Sequence, residues 1–496
     1  MTHELRPYQH AARAAIRGAF LRGDRRVLLV LPVGAGKTTV AADLIQRAVE
    51  RGGRCLFLAH RTELIDQALA RLASHGVTAG RVQAGHCQDL TAPVQVASVA
   101  SLARRELAAP PTLVIIDEAH RATTAGQYDA LLRRWPSAYV VGLTATPIRL
   151  DGRGLGDTFQ ALACGPTPAE LVQLGVLCDP AVWSTPHAPS LDGIKMTAGE
   201  FNQRAVADRF AGLVGDVIDH WERHAAHLKT AVFAASVQHS RDLAAAFLAR
   251  GVRAAHLDAN TPPAERAAVL EHLAAGRLQV LTNYNLVSEG WDLPDCACAV
   301  LARPTQSLGL YLQMVGRVMR TAPGKAGAIV LDHAGNAQRH GLPCDTRAWS
   351  LTTTRRKADD APAVRTCLGC YAVYAPAHPA CPCCGTAPPA PVVKPLKVTP
   401  GALVLMVGGK DTASWLEPYR SANGGTGTDE ERARAVDAII ARALRAGRKD
   451  SRWAREQYRA CFGVSARGTF REMFRLAWPD EPRPVWHRAR GELVWK

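Results

Sequence analysis

The chain has 496 residues, too many for one compact core, and a spacing of about 150 residues per domain divides it into three or four units. Its 60 Lys and Arg against 44 Asp and Glu leave a formal charge of +16, so a polyanion is the leading class of partner, because cationic side chains displace counterions from phosphates. No basic start leads into a continuous apolar segment, and no apolar run approaches the ~18 residues that cross a bilayer. The expectation is therefore a cytoplasmic protein with no membrane partner.

From Val27 to Leu143, short apolar runs rich in β-branched residues (VLLVLP, CLFLAH, VQVAS, TLVIID, AYVVGL) alternate with stretches of helical spacing such as Thr39 to Glu50 and Glu63 to Ser74. Continuous apolar strands separated by helices predict a parallel sheet covered on both faces. The rhythm returns between Thr230 and Asp332 in TAVFAAS, RAAHLD, LQVLTN, CAVLA and GAIVLD, which predicts a second α/β domain. The Gly-rich stretch Asp151 to Asp157 begins the connection between them.

Inside the first domain, LPVGAGKTTV (Leu31 to Val40) follows a strand and opens a helix, the setting a phosphate-binding loop requires. Gly34 and Gly36 let backbone amides approach phosphate, with Ala35 and Thr39 completing the loop. Lys37 would neutralise the β/γ oxygens of ATP, and the Thr38 hydroxyl would hold Mg²⁺. Leu31 stands where the usual pattern has its first glycine; an ordinary Gly-rich turn is the competing reading. Further on, LVIIDEAH (Leu113 to His120) ends a second buried strand with adjacent carboxylates, costly to leave unpaired at a sheet edge. Asp117 would bind Mg²⁺ directly or through water and Glu118 would polarise the attacking water, the alternative being an acidic helix cap.

In the second domain QMVGRVMR (Gln313 to Arg320) places Arg317 and Arg320 three apart, on one face if the segment is helical. Taken alone, such a pair is usually a solvated surface. Beyond Asp332 a polar stretch leads to a cluster holding five of the 13 cysteines, between Cys367 and Cys384. The spacing Cys367-x₂-Cys370 and Cys381-x₂-Cys384 is that of a zinc ribbon, with the extra thiol of Cys383 leaving the fourth ligand open and redox pairs or an iron–sulfur cluster as alternatives. The other eight cysteines are scattered, which reads as reduced thiols and not a disulfide framework. A Pro-rich linker follows, and the tail from Pro391 carries 20 Lys and Arg against 12 Asp and Glu. Its aromatics, Trp453, Tyr458, Phe462, Phe470, Phe474 and Trp478, fit helical packing better than base stacking, while its interleaved arginines suit phosphate contact.

In their order, GAGKT, DEAH, the TAT of Thr144 to Thr146 and QMVGRVMR resemble the motif series of the superfamily 2 DEAD/DEAH-box helicases over about Leu5 to Asn336. The resemblance implies tandem RecA-like domains, at 1–165 and 166–345, followed by a zinc-ribbon module at 346–390 and a basic, mainly helical C-terminal region at 391–496. It implies that Arg6 and Gln9 of LRPYQ read the adenine, that AHRTEL and VASVASL grip a strand, and that TAT couples hydrolysis to movement. FAASVQHS and VSEGWDLP are similar to the later motifs, which brings Gly290 and Asp292 near nucleotide and strand, with Arg317 and Arg320 completing the catalytic set of Lys37, Asp117 and Glu118. LRPYQ, GLTATPIRLDGRGLGD, the Cys cluster and LDHAGN are most like the RadD-like bacterial and phage DNA helicases. That narrower likeness implies DNA ahead of RNA, repair, recombination or phage DNA metabolism, a repair or replication protein as partner, and a bacterial or phage-infected cell. The rival expectations are an RNA helicase, the motor subunit of a restriction complex, and a binding protein that uses ATP only as a clamp.

Overall fold

The computed structural model describes residues 4–86, 89–122, 126–149, 152–185, 188–197, 200–285, 293–352, 362–389, 428–445, 451–462, 484–487 and 492–495. Two compact units result, Met1–Pro391 and Val392–Lys496. Gly290 and Asp292 fall outside the described residues.

The first unit opens with helix α1 (Pro7–Leu21), strand β1 (Arg26–Val30), α2 (Lys37–Glu50), β2 (Cys55–Ala59), α3 (Thr62–Ser74), β3 (Ala79–Val82), β4 (Val94–Ser98), α4 (Val99–Leu102), β5 (Leu113–Ile116), α5 (Gln127–Arg133), β6 (Tyr139–Thr144) and β7 (Ala161–Cys164). Its seven strands form one sheet in the order β3-β4-β2-β5-β6-β1-β7, every pair parallel. The central strands are buried on both faces, which is why they read as unbroken apolar runs. Both the loop after β1 and the carboxylates after β5 emerge at the carboxyl ends of the strands, where open α/β sheets bind ligands.

A connection containing α6 (Pro168–Gln173), closed by a reciprocal Thr167–Glu170 capping box, leads into the second sheet. Its elements are β8 (Pro180–Ser184), a small hairpin of β9 (Met196–Thr197) and β10 (Glu200–Phe201), α7 (Gln203–Phe210), α8 (Gly215–Ala225), β11 (Thr230–Ala234), α9 (Val237–Ala249), β12 (Ala254–Leu257), α10 (Pro263–Ala274), β13 (Val280–Asn283), β14 (Cys298–Ala302), α11 (Leu308–Val318), β15 (Ala328–Asp332) and α12 (Asn336–His340). Six of the strands make a second parallel sheet in the order β12-β13-β11-β14-β15-β8. The chain therefore has two parallel-sheet α/β domains of the RecA type.

The LDHAGN stretch is an internal brace. Asp332, 1% exposed, accepts from the amides of Ala334 (3.1 Å) and Ala337 (2.7 Å) and from Asn336 Nδ2 (3.2 Å), and Asn336 ties back to Thr305 N and Arg303 O at 3.0 Å each. Burial pushes the Asp332 carboxyl up to about 6 in spite of those donors.

The cysteine module follows as a short antiparallel pair, β16 (Arg365–Thr366) and β17 (Val373–Tyr374), docked on the free edge of the second sheet. Trp183 of β8 bridges antiparallel to Ala372, and Ser184 N donates to Tyr371 O at 3.0 Å. In the second unit, α13 (Asp429–Arg445) and α14 (Ser451–Phe462) bury Ala435, Val436, Ile439, Tyr458 and Phe462, the last two with ring centroids 4.9 Å apart. These aromatics pack as core. The region also ends in a hairpin, β18 (Pro484–His487) and β19 (Glu492–Trp495), whose PVWH and ELVW segments have the β-branched and aromatic content of strands. Phe470, Phe474 and Trp478 lie outside the described residues.

Candidate nucleotide site between the two sheets

The loop after β1 is built to expose backbone donors. Gly34 and Gly36 sit at φ +85° and +82°, a left-handed geometry that a side chain strains, and a Cβ on Gly36 would stand 2.4 Å from Gln9 Nε2. Gly36 is the N-cap of α2 and no side chain caps that helix, so N–H donors of its first turn face the cavity. Leu31, in place of the customary glycine, is accommodated because its side chain is fully buried beside Gly165 while its carbonyl accepts from Lys37 Nζ at 3.2 Å. Pro32 O accepts from the same ammonium at 3.4 Å. Burial pushes the Lys37 amine down, Glu118 and Asp117 push it back up, and Arg320 and Arg317 oppose them. Lys37 thus lies in the field of two carboxylates and two guanidiniums.

Gln9 does not line the cavity. It lies under the loop, its Oε1 accepting from Arg6 N (2.9 Å) and its Nε2 donating to Ala35 O (3.1 Å), with Tyr8 Oη donating to the same carbonyl at 2.9 Å. Ala35 is buried at 1% exposure, whereas Arg6 does face the cavity.

Asp117 and Glu118, 7% and 9% exposed, leave β5 side by side. Glu118 takes a left-handed backbone (φ 47°), costly for a residue with a Cβ, and its amide donates to Asp117 Oδ1 at 3.0 Å. Its Oε2 lies 3.3 Å from His120 Nδ1 and 3.3 Å from Gln313 Nε2, a donor from the second domain. His120 Nδ1 also stands 3.3 Å from Thr144 Oγ1, which donates to Thr146 O at 2.7 Å. A Cβ on Gly309 would in turn lie 2.8 Å from Thr146 Oγ1. DEAH and TAT are therefore one polar chain running from Glu118 to Thr146, whose side chain abuts Gly309 of the second domain.

Arg317 and Arg320 do not share a helix. Helix α11 ends at Val318, and Arg320 pairs as a strand bridge with Leu177 of the connecting segment. Lys325 caps this end: its ammonium donates to the carbonyls of Val318 (2.6 Å) and Arg320 (2.7 Å) and to those of Pro294 (2.9 Å) and Cys296 (2.8 Å). Both arginines nevertheless line the cavity, with Arg320 Cγ 3.2 Å from where a Cβ on Gly34 would sit. Gly316 brings α11 against the loop so closely that a Cβ there would stand 2.5 Å from Val33 Cβ.

The cavity measures about 600 Å³ and is bounded by Gly34, Gly36, Lys37, Thr38 and Thr39 of the loop, by Asp117 and Glu118, and by Gln313, Arg317 and Arg320 of the second domain. Its donors, glycine cradle and paired carboxylates fit a nucleoside triphosphate with Mg²⁺, and Thr38 and Asp117 are both present to hold the ion. Three features went unassigned in sequence: Gln313, which is four residues before Arg317 and hence on its helical face; His120; and the α3 face of Gln67, Arg71 and Ser74, spaced as one helical stripe. Beyond the cavity, Arg266 Nη1 of α10 pairs with Glu63 Oε1 of α3 at 2.8 Å across the domains.

The family model described as the type III restriction enzyme res subunit matches residues 2–149, and that of the helicase conserved C-terminal domain matches residues 213–322. A 51.5 kDa protein of a Lactococcus phage is 34% identical over 319 residues, spanning 64% of this chain and 68% of the phage protein. The chain belongs to superfamily 2 of the helicases, an ATPase family. A Schizosaccharomyces pombe protein carrying the name mitochondrial ATP-dependent helicase Irc3 is 30% identical over 369 residues, 70% of this chain and 60% of that protein. A fragment of an HsdR subunit of a type I restriction enzyme from Vibrio vulnificus shares the fold at TM-score 0.55 and 22% identity, over 68% of this chain and 66% of the fragment.

The four thiols of Cys367, Cys370, Cys381 and Cys384 converge, all their sulfurs lying within 4.8 Å of one another. Two pairs, Cys367–Cys384 and Cys370–Cys381, are 3.5 and 3.6 Å apart, close to the ~3.8 Å edge of a tetrahedron with Zn–S bonds of about 2.3 Å. Each knuckle is a tight turn: Tyr371 N donates to Cys367 O (3.0 Å) and Gly385 N to Cys381 O (2.9 Å). Cys383 is exposed and stands apart from the cluster, so Cys384 is the fourth member. Among the described residues, no helix is long and apolar enough to cross a membrane.

Proposed function

We propose that this helicase-family chain is an ATP-driven motor acting on DNA in repair, recombination or phage DNA metabolism, of the RadD-like kind. The observation that carries the reading is the hydrogen bond between Glu118 of one domain and Gln313 of the other, inside a cavity that also presents Lys37, Arg317 and Arg320. Lys37 neutralises the β/γ-phosphates, Glu118 orients the attacking water, and Arg320, with Arg317 beside it, stabilises charge in the transition state. Mg²⁺, held by Thr38 and Asp117, would supply further neutralisation of phosphate charge. Arg6 reads the base, Gln9 braces the loop from beneath, and Gly290 and Asp292 serve nucleotide and strand. The domain limits are 1–165, 166–345, 346–390 and 391–496, with Zn²⁺ in the third and a second, sequence-tolerant grip on phosphates in the fourth. The test is steady-state ATPase with single-stranded, duplex and forked DNA and with RNA, run beside Lys37→Ala. DNA should stimulate turnover and Lys37→Ala should abolish it; undiminished turnover in the variant overturns the motor reading, and stimulation by RNA alone changes the substrate.

A second reading, the motor of a restriction complex, is favoured by the family that residues 2–149 match. It predicts that the purified chain stays inactive on DNA until a partner subunit is added. Turnover by the chain alone removes it.

A further inference from the structure

The segment after α12 returns to the first domain. At its start it is fastened to the second: the Tyr311 hydroxyl of α11 donates to Gly341 O at 3.2 Å, and the Tyr311 ring stacks on His340 at 5.4 Å. Buried Arg347 then gathers the turn, donating to the carbonyls of His340 (3.1 Å), Leu342 (2.8 Å), Pro343 (3.4 Å) and Asp345 (2.9 Å). Ten residues on from Gly341, the chain belongs to the other domain. Gly156 N donates to Leu351 O at 2.9 Å, and Trp349 and Leu351 pack on the first sheet's outer core with Leu155 and Phe159. A Cβ at position 156 would lie 3.1 Å from Leu351 O, so the GRGLGD stretch provides a glycine where two backbones meet. Between the fastenings is a mainly apolar cavity of about 290 Å³, bounded by Arg347 and Trp349, by Val33 of the phosphate loop, and by Gly316 and Met319 at the end of α11.

We propose that residues 341–352 are a strap that positions α11, and with it Arg317, against the phosphate loop, and that Trp349 is its anchoring residue on the first domain. The inference rests on the motor reading above. Among the described residues the domains are joined covalently at residues 165–179 and a second time, without a covalent bond, where this segment docks on the first. One crossing leaves rotation about several axes open, whereas two separated crossings confine the domains to a single hinge direction. Confinement matters because the arginines act from the opposite domain, and displacing a reacting group by about 1 Å costs up to about a hundredfold in rate. The cycle then opens and closes the cleft with the strap docked.

The test uses the full-length chain. Trp349→Ala should lower nucleic-acid-stimulated kcat roughly 10- to 100-fold while the KM for ATP, set largely by the first domain's loop, moves less than about twofold. Trp349→Phe should restore turnover. Separately, a Gly156→Cys/Leu351→Cys pair oxidised across the docked contact should turn over as well as its reduced form. A Trp349→Ala enzyme with the parent's kcat overturns the strap, as does an oxidised pair that stops and recovers on reduction. Should Trp349→Ala fail to fold, the cysteine pair decides alone. The Lys37→Ala control keeps the two readings apart: activity there sinks the motor, while an active parent indifferent to Trp349 sinks only the strap.

Discussion

Gln313 Nε2 reaches across the domain boundary to Glu118 Oε2 at 3.3 Å, so the carboxylate meant to orient water is tied to the position of α11. Glu118→Gln should keep ATP binding, since Lys37 and the loop amides are untouched, and stall hydrolysis by replacing the anionic carboxylate with a neutral amide. Nucleotide affinity by fluorescence titration beside single-turnover hydrolysis checks it. Normal turnover would assign the water to another residue, with His120 the nearest candidate.

Arg320 leaves α11 and lies against Gly34, which makes it the candidate for contact with the transferring phosphate. Arg320→Ala should slow hydrolysis by roughly 10³ to 10⁵, about 4 to 7 kcal/mol of barrier, with little change in melting temperature. A loss below tenfold moves the role to Arg317.

Gly316 faces Val33 with no room for a methyl group, the nearest atoms lying 2.5 and 2.9 Å from the added carbon. Gly316→Ala should therefore push the domains apart while leaving each folded. ATP binding should persist and stimulated turnover should fall at least about tenfold, by the same positional sensitivity. Wild-type kcat in this variant would mean that closure does not require the contact.

His333 follows β15 at 3% exposure, its ring 5.1 Å from that of His220 on α8, with His224 and Tyr371 lining the same small cavity. Burial, aided by His220, pushes its imidazole down to about 3. A histidine held neutral in the fold stabilises fully above its ordinary value near 6.5, and this contribution is lost as pH falls from there toward 3. The slope is at most about 1.4 kcal/mol per pH unit, hence about 2 kcal/mol between pH 6.5 and 5. Asp332, pushed up to about 6, works in the opposite sense, so the comparison must be between parent and His333→Phe. On going from pH 7.5 to 5 the denaturant midpoint should fall further, or rise less, in the parent than in the variant; identical pH slopes would discount the histidine.

The readable parts of this molecule were those whose chemistry is local. Strands β1, β2 and β5 announce themselves because both faces are buried, whereas β3, β7 and β8, at or near the sheet edges, are short and half exposed and gave no such pattern. The glycine loop after β1 and the DEAH carboxylates are each contiguous in sequence, and the structure brings them to one cavity, even with Leu31 in a glycine's place. Spacing puts Arg317 and Arg320 on one face only if the segment is helical throughout, and it does not show that the helix ends at Val318, where Lys325 caps the last carbonyls. The partner of Gln313 and the docking of the strap depend on where a second domain comes to rest, and the Glu118–His120–Thr144 chain on the pairing of β5 with β6, neither of which residue spacing encodes.

The cysteine module occupies the one flank of β8 not paired with β15, satisfying Ser184 N through Tyr371. It thereby acts as a guard against intermolecular strand addition, since an uncovered edge offers its backbone groups to any neighbouring chain. A module this small would draw its folding energy from the metal that its four thiols fit, expected at one Zn²⁺ per chain. Stripping the metal with a chelator, or replacing Cys370 by Ser, should therefore produce concentration-dependent oligomers in light scattering before helical content declines, while Cys383→Ser behaves as the parent. Metal-free protein that stays monodisperse would show that the edge is protected without the ion. On this account the knuckles keep one copy of the enzyme from being stitched to the next.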